Sequence, residues 1–153
     1  MRDRLRGTTV ASKRRSGRVL EHIDVSGTLE ITGTLEAGAT VRSGARLTVT
    51  GPARGPLIVE PDGGVLVRGP LSGAIHDRGG MVLISGVFAA EVVEDQGGIG
   101  VEVDSVVIAD SRTYLVTADG LNEVTEHIAE HHASGGNGSY LMRQPDGSFA
   151  PAP

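Results

Sequence analysis

Gly27-Thr28-Leu29-Glu30-Ile31-Thr32-Gly33 decides the fold, because its pattern of a small residue, two aliphatics two apart and a closing glycine returns every 18 or 17 residues. The copies begin at Gly27, Ala45, Gly63, Gly80 and Gly97, with first aliphatics Leu29, Leu47, Val65, Val82 and Ile99 and second aliphatics Ile31, Val49, Val67, Ile84 and Val101. Four close on Gly33, Gly51, Gly69 and Gly86, and the fifth on Val103. Alternation of apolar and polar residues marks a strand, and a fixed return marks strands stacked coil upon coil. The pattern therefore predicts an all-β, single-stranded parallel β-solenoid of about six coils of 17–18 residues. One more step lands on a degraded sixth copy, Tyr114, Val116, Ala118 and Gly120.

Other columns of the alignment fit the same register. Ala37, Gly55, Gly73, Ala90 and Val107 form a small-residue column, expected where the coil turns a corner. Ala39, Leu57, Ile75, Val92 and Ala109 form a second aliphatic one. Leu35, Ala53, Leu71 and Phe88 make a third, which fails at Ser105. On the outside, Asp24, Arg42, Glu60, Arg78, Asp95 and Arg112 alternate in sign, so that a slip of one coil would set like charges together.

Composition agrees with a thin core. Aromatics make up 3% of the 153 residues, Trp and Cys are absent, and there are 23 glycines. Without Cys there is neither a disulfide framework nor a thiolate metal site. No apolar run approaches the roughly 18–20 residues of a membrane span, and no signal-peptide core follows the first arginines. The expected location is the cytoplasm.

Outside the solenoid, assigned to 19–120, residues 1–18 read as a flexible basic arm. Arg2, Arg4, Arg6, Lys13, Arg14, Arg15 and Arg18 against Asp3 give it a charge of +6, leaving −11 for the rest of a total of −5. Arg14, Arg15 and Arg18 are candidate contacts to an anionic membrane surface or nucleic acid, or to the acidic body itself. Leu121, Val124, Ile128 and His132 fall at helical spacing after the N-cap candidate Asp119, which predicts a helix over 121–133 capping the last coil. Residues 134–153 read as a C-terminal loop and tail with a short strand at 139–143.

A catalytic constellation is not legible, and no cofactor is expected. His127-Ile128-Ala129-Glu130-His131 matches an H-x-x-E-H zinc string, yet only Asp146 follows as a further acidic ligand. Hexapeptide acyltransferases with a left-handed β-helix are the enzyme alternative, but the 17-residue spacing breaks strict hexads. His76 is also the single histidine in the clear coils. No catalytic or metal residue is assigned. Leu66, Met81 and Leu83 instead suggest an apolar flank able to bind a protein partner.

Residues 27–120, about 60% of the chain, resemble the bactofilins, bacterial polymer-forming cytoskeletal proteins. The resemblance rests on Val25-Ser26-Gly27-Thr28-Leu29-Glu30-Ile31-Thr32-Gly33, on Gly63-Gly64-Val65-Leu66-Val67-Arg68-Gly69 and on Gly79-Gly80-Met81-Val82-Leu83-Ile84-Ser85-Gly86. It implies a right-handed triangular β-helix without enzymatic activity, a scaffold that self-associates through its solenoid ends. The helix expected after the sixth copy departs from that pattern: with one end capped, association would stop at a dimer. The alternative function is a capped solenoid serving as a protein-binding adaptor or inhibitor.

Overall fold

The computed structural model describes residues 12–124 and 139–151. It is a β-solenoid of about six stacked parallel turns. The first coil is β1 (Ser12–Arg15), β2 (Arg18–Val19) and β3 (Ile23–Val25), and the second is β4 (Thr28–Ile31), β5 (Thr34–Leu35) and β6 (Ala39–Val41). The third is β7 (Arg46–Val49), β8 (Ala53–Arg54) and β9 (Leu57–Val59). In the fourth and fifth coils the second and third strands fuse across the corner, giving β10 (Gly64–Val67) with β11 (Pro70–Asp77), and β12 (Met81–Ile84) with β13 (Val87–Asp95). β14 (Gly98–Glu102) and β15 (Val106–Ala109) end the parallel stack.

The predicted aliphatic pairs face inward and stack in register: Leu47 on Leu29, Val65 on Leu47, Val82 on Val65 and Ile99 on Val82. Ile31, Val49, Val67, Ile84 and Val101 are fully buried. The closing glycines are required by close approach. A Cβ on Gly51 would run into the Gly33 carbonyl oxygen, and one on Gly69 would come within 2.5 Å of the Gly51 oxygen. Only a bare backbone lets successive coils nest there. Gly73 in the small-residue column has φ 91, and its Cβ would meet the Gly55 nitrogen at 2.5 Å.

The stack starts and stops elsewhere than the periodicity predicts. Ser12–Arg15 pairs in parallel with Thr28–Ile31, so part of the expected flexible arm is the solenoid's first coil, offset by 16 residues; residues 1–11 lie outside the described residues. At the other end the sixth copy is not a coil. β16 (Arg112–Thr117) turns back antiparallel on β15 through Asp110 and Ser111, whose φ values of 52 and 64 are those of a tight hairpin. β17 (Gly120–Glu123) turns back again.

Residues 121–123, expected as the first turn of a capping helix, are thus strand. Their alternating side chains extend the hairpin, and the Ala118-Asp119 turn replaces the supposed N-cap. No helix occurs among the described residues, and the remainder of the predicted helix lies outside them, as does the H-x-x-E-H string. Among the described residues of the tail, the expected short strand is β18 (Tyr140–Arg143), which pairs antiparallel with β14, and β19 (Phe149–Pro151) pairs with β18.

Two columns also end differently. Val107 stacks on Phe88, not Ala90, because the turn at 103–105 adds residues to the last coil. The Leu71 and Phe88 column therefore continues through Val107, and Ser105 never belonged to it. The charge ladder holds over its first three rungs, where Arg42 Nε meets Asp24 Oδ1 at 2.8 Å and Arg42 Nη1 meets Glu60 Oε2 at 2.9 Å. Above them it breaks. Arg78 pairs with Glu94 at 3.0 Å, Asp95 with Arg143 at 2.9 Å and Arg112 with Glu123 at 3.5 Å.

The cause is a change in corner length. Four residues join Val59 to the next coil's Gly64 and three join Asp77 to Met81, but only two join Asp95 to Gly98. A bulge between Ile75 and His76 opposite Val93 absorbs the difference and sets Asp77 against Asp95, both in the inward column of Val41 and Val59.

Candidate interaction surfaces

The outer surface of the sheet formed by β4, β7, β10, β12 and β14 carries the predicted apolar group. Leu66 and Leu83 are neighbours in register, and with Met81, which is 42% exposed, they line an open hollow of about 290 Å³ shared with Arg46, Thr48 and Gly64. Period-two alternation puts these side chains outward while Val65, Val67, Val82 and Ile84 fill the core. Arg46 lies over Gly64, its Nη1 donating to the Ala45 and Asp62 carbonyls at 2.9 Å each, so its aliphatic stem walls one side. On the other side Gly98 and Gly100 leave room for the thioethers of Met81 and Met142. Met142 was not legible as part of this patch, because only the antiparallel pairing of β18 with β14 brings it there.

The predicted basic contacts are already engaged. Arg14 Nη2 donates to Glu30 at 3.0 Å, Arg15 Nη2 to Glu21 at 3.3 Å and Arg18 Nε to Glu36 at 3.2 Å, while Glu36 also lies 3.7 Å from Arg54. Each of these three arginines stays exposed while paired, and none lines the apolar hollow. Lys13 is different. It stacks on Leu29, and Arg15 stacks on Ile31, so the first coil carries cations at the two positions where the next coils carry aliphatics.

The two ends of the stack are unlike. At the C-terminal end β18 and β16 occupy the free edges of β14 and β15 in antiparallel sense, Leu141 and Phe149 are buried, and Phe149 packs edge-on against Phe88 with ring centroids 5.8 Å apart. Ser85 Oγ donates to Glu102, and Tyr140 lies opposite Glu102; burial, then that carboxylate, push the phenol up. At the N-terminal end no strand among the described residues pairs with the outer edges of β1, β2 or β3.

His76, the histidine of the enzyme alternative, lies on an outward row at 3.1 Å from Glu94, whose carboxylate Arg78 also contacts; Arg78 first and His76 second hold Glu94 below its ordinary range. Among the described residues no three His, Asp or Glu side chains are placed to share a metal ion, and no helix is long and apolar enough to cross a membrane.

Compared with known proteins, the chain matches no family model, no curated protein and no solved structure.

Proposed function

We propose that this β-solenoid is a non-enzymatic structural scaffold, bactofilin-like in its coil, that works through contacts with proteins and associates through no more than one end. One observation carries the reading: antiparallel strands cover the C-terminal edges of β14 and β15, whereas the outer edges of the first coil have no strand partner among the described residues. Antiparallel strands at that end break the parallel register that a second stack would have to continue. Association through a single remaining end is isologous and stops at a pair. Sedimentation over a wide concentration and salt range, with electron microscopy of the same samples, tests this. Monomers or dimers are expected, and filaments of the full chain would overturn it.

A second reading, a protein-binding adaptor or inhibitor, is favoured by the hollow at Leu66, Met81 and Leu83. Exposed Met81 beside the half-buried Leu66 and Leu83 makes an apolar group on one sheet face, which is the usual mark of a contact surface. Leu66→Asp with Leu83→Asp leaves the inward rows untouched. A bound partner that the double variant retains at unchanged affinity would remove this face from consideration.

A further inference from the structure

In the third strand of each coil the last inward position is Val25, Val41 and Val59, and then Asp77 and Asp95. Asp77 is completely buried. Its Oδ1 accepts from the Gly80 amide at 2.8 Å and the Gly79 amide at 3.2 Å, which explains the substitution: a corner shortened to three residues turns its amides inward, and a carboxyl group satisfies them where valine cannot. Oδ2 has no hydrogen-bond partner. Directly across the ladder stands Asp95, whose Oδ2 takes Arg143 Nη1 from β18 at 2.9 Å.

We propose that the stacked Asp77 and Asp95 carboxyl pair, with Arg143 held on Asp95, is a proton-operated switch at the corner on which the C-terminal hairpin is latched. Two carboxylates a strand spacing apart, about 4.8 Å, do not both ionise cheaply away from water. The surroundings assign the proton to Asp77. From β13 it faces Asp95, and from β9 the neutral Val59; Arg143 of β18 is committed to Asp95. The charged neighbours on its own chain, His76 and Arg78, go to Glu94, and Glu60 at the preceding corner goes to Arg42. Burial is the largest influence and raises the Asp77 titration; the Gly79, Gly80 and Gly97 amides oppose it, and Asp95 adds to it.

The folded state thus holds the Asp77 proton to higher pH than the unfolded chain does. Stability is full below the ordinary aspartate range and declines as pH rises through the elevated Asp77 value. Ionisation leaves Oδ2 as a buried, unpaired anion and loosens the corners 77–80 and 95–98.

Carboxyl-carbon NMR of the full chain, with thermal unfolding from acidic to neutral pH, decides the matter. Asp77 is expected to titrate above the other aspartates, and the unfolding midpoint to fall, relative to that of Asp77→Asn, as pH rises through the Asp77 titration. Asp77→Asn, which keeps the acceptor for Gly79 and Gly80 and cannot ionise, should lose that dependence. Asp95→Asn should move the Asp77 titration downward, each unit being a tenfold change in its proton affinity. If Asp77→Asn does not fold, the wild-type titration stands alone as the test. An Asp77 carboxyl that titrates in or below the ordinary range, or a variant whose midpoint tracks the wild type at every pH, would overturn the switch.

Discussion

Arg143 reaches across 48 residues of sequence to Asp95, Nη1 to Oδ2 at 2.9 Å, with both side chains about four-fifths buried. With Phe149 against Phe88 it pins the last hairpin to the stack. Phe149→Ala should cost about 3 kcal/mol, the usual loss for emptying a buried aromatic site, and Arg143→Ala about 2 kcal/mol for a charged hydrogen bond. The amides of β14 report directly. If the hairpin is the cap, exchange at Val103, whose amide donates to the Ser139 carbonyl at 2.8 Å, and at Val101 opposite Leu141, accelerates in both variants while β7 amides keep their protection. Unchanged exchange at β14 would mean that the hairpin does not guard that edge.

Gly51 and Gly27 look alike in the repeat and differ in what surrounds them. A methyl on Gly51 is driven into the Gly33 carbonyl of the coil before, a backbone atom that cannot swing away, whereas Gly27 has open space. Gly51→Ala is expected to destabilise by roughly 1–3 kcal/mol, as overpacking does. Gly27→Ala should be neutral or slightly stabilising through the unfolded chain. Urea midpoints that place the two variants together would show that the coils can spread without cost.

Glu94 sits between Arg78 at 3.0 Å and His76 at 3.1 Å, which hold its carboxyl below the ordinary glutamate range. The stabilisation is therefore present above that range and is lost as pH falls through the depressed value. Arg78→Gln removes the larger influence, so carboxyl-carbon NMR should find Glu94 titrating higher than in wild type. A Glu94 titration that does not move would assign the depression elsewhere.

The interior of the stack was legible because its rule is local: alternating side chains, a fixed return, and a glycine wherever backbone meets backbone. Its boundaries were not, for reasons visible in particular residues. Lys13 and Arg15 occupy aliphatic positions, so the first coil reads as a basic arm. Tyr114 and Val116 keep the alternation of a coil strand, yet Asp110-Ser111 reverses the chain before them, a turn signal that the period of 17 obscured. Leu121 and Val124 satisfy helical spacing as well as the edge of a hairpin, and pairing with β16 decided in favour of strand. Asp77 and Asp95 stand in a valine column, but that column emerges only once the corner lengths are known. Of the interaction residues, Leu66, Met81 and Leu83 followed from period two alone, while Met142 depended on the long-range pairing of β18 with β14, opposite Gly100.

Charged side chains at inward positions of an end strand are a recognised way of keeping sheets from joining edge to edge. Lys13 and Arg15 hold those positions on β1, above Leu29 and Ile31. Lys13→Leu with Arg15→Ile continues both aliphatic columns to the end of the stack and removes the Arg15 pair with Glu21. The double variant should then associate more strongly than wild type, through its N-terminal end and independently of salt, since apolar contact replaces charge. Sedimentation equilibrium measures the shift, and a further Leu66→Asp and Leu83→Asp pair on the variant separates end contacts from contacts through the apolar hollow. Association that survives those two changes belongs to the end strand. A double variant that remains as monomeric as wild type would mean that the charges on β1 do not govern access to that edge.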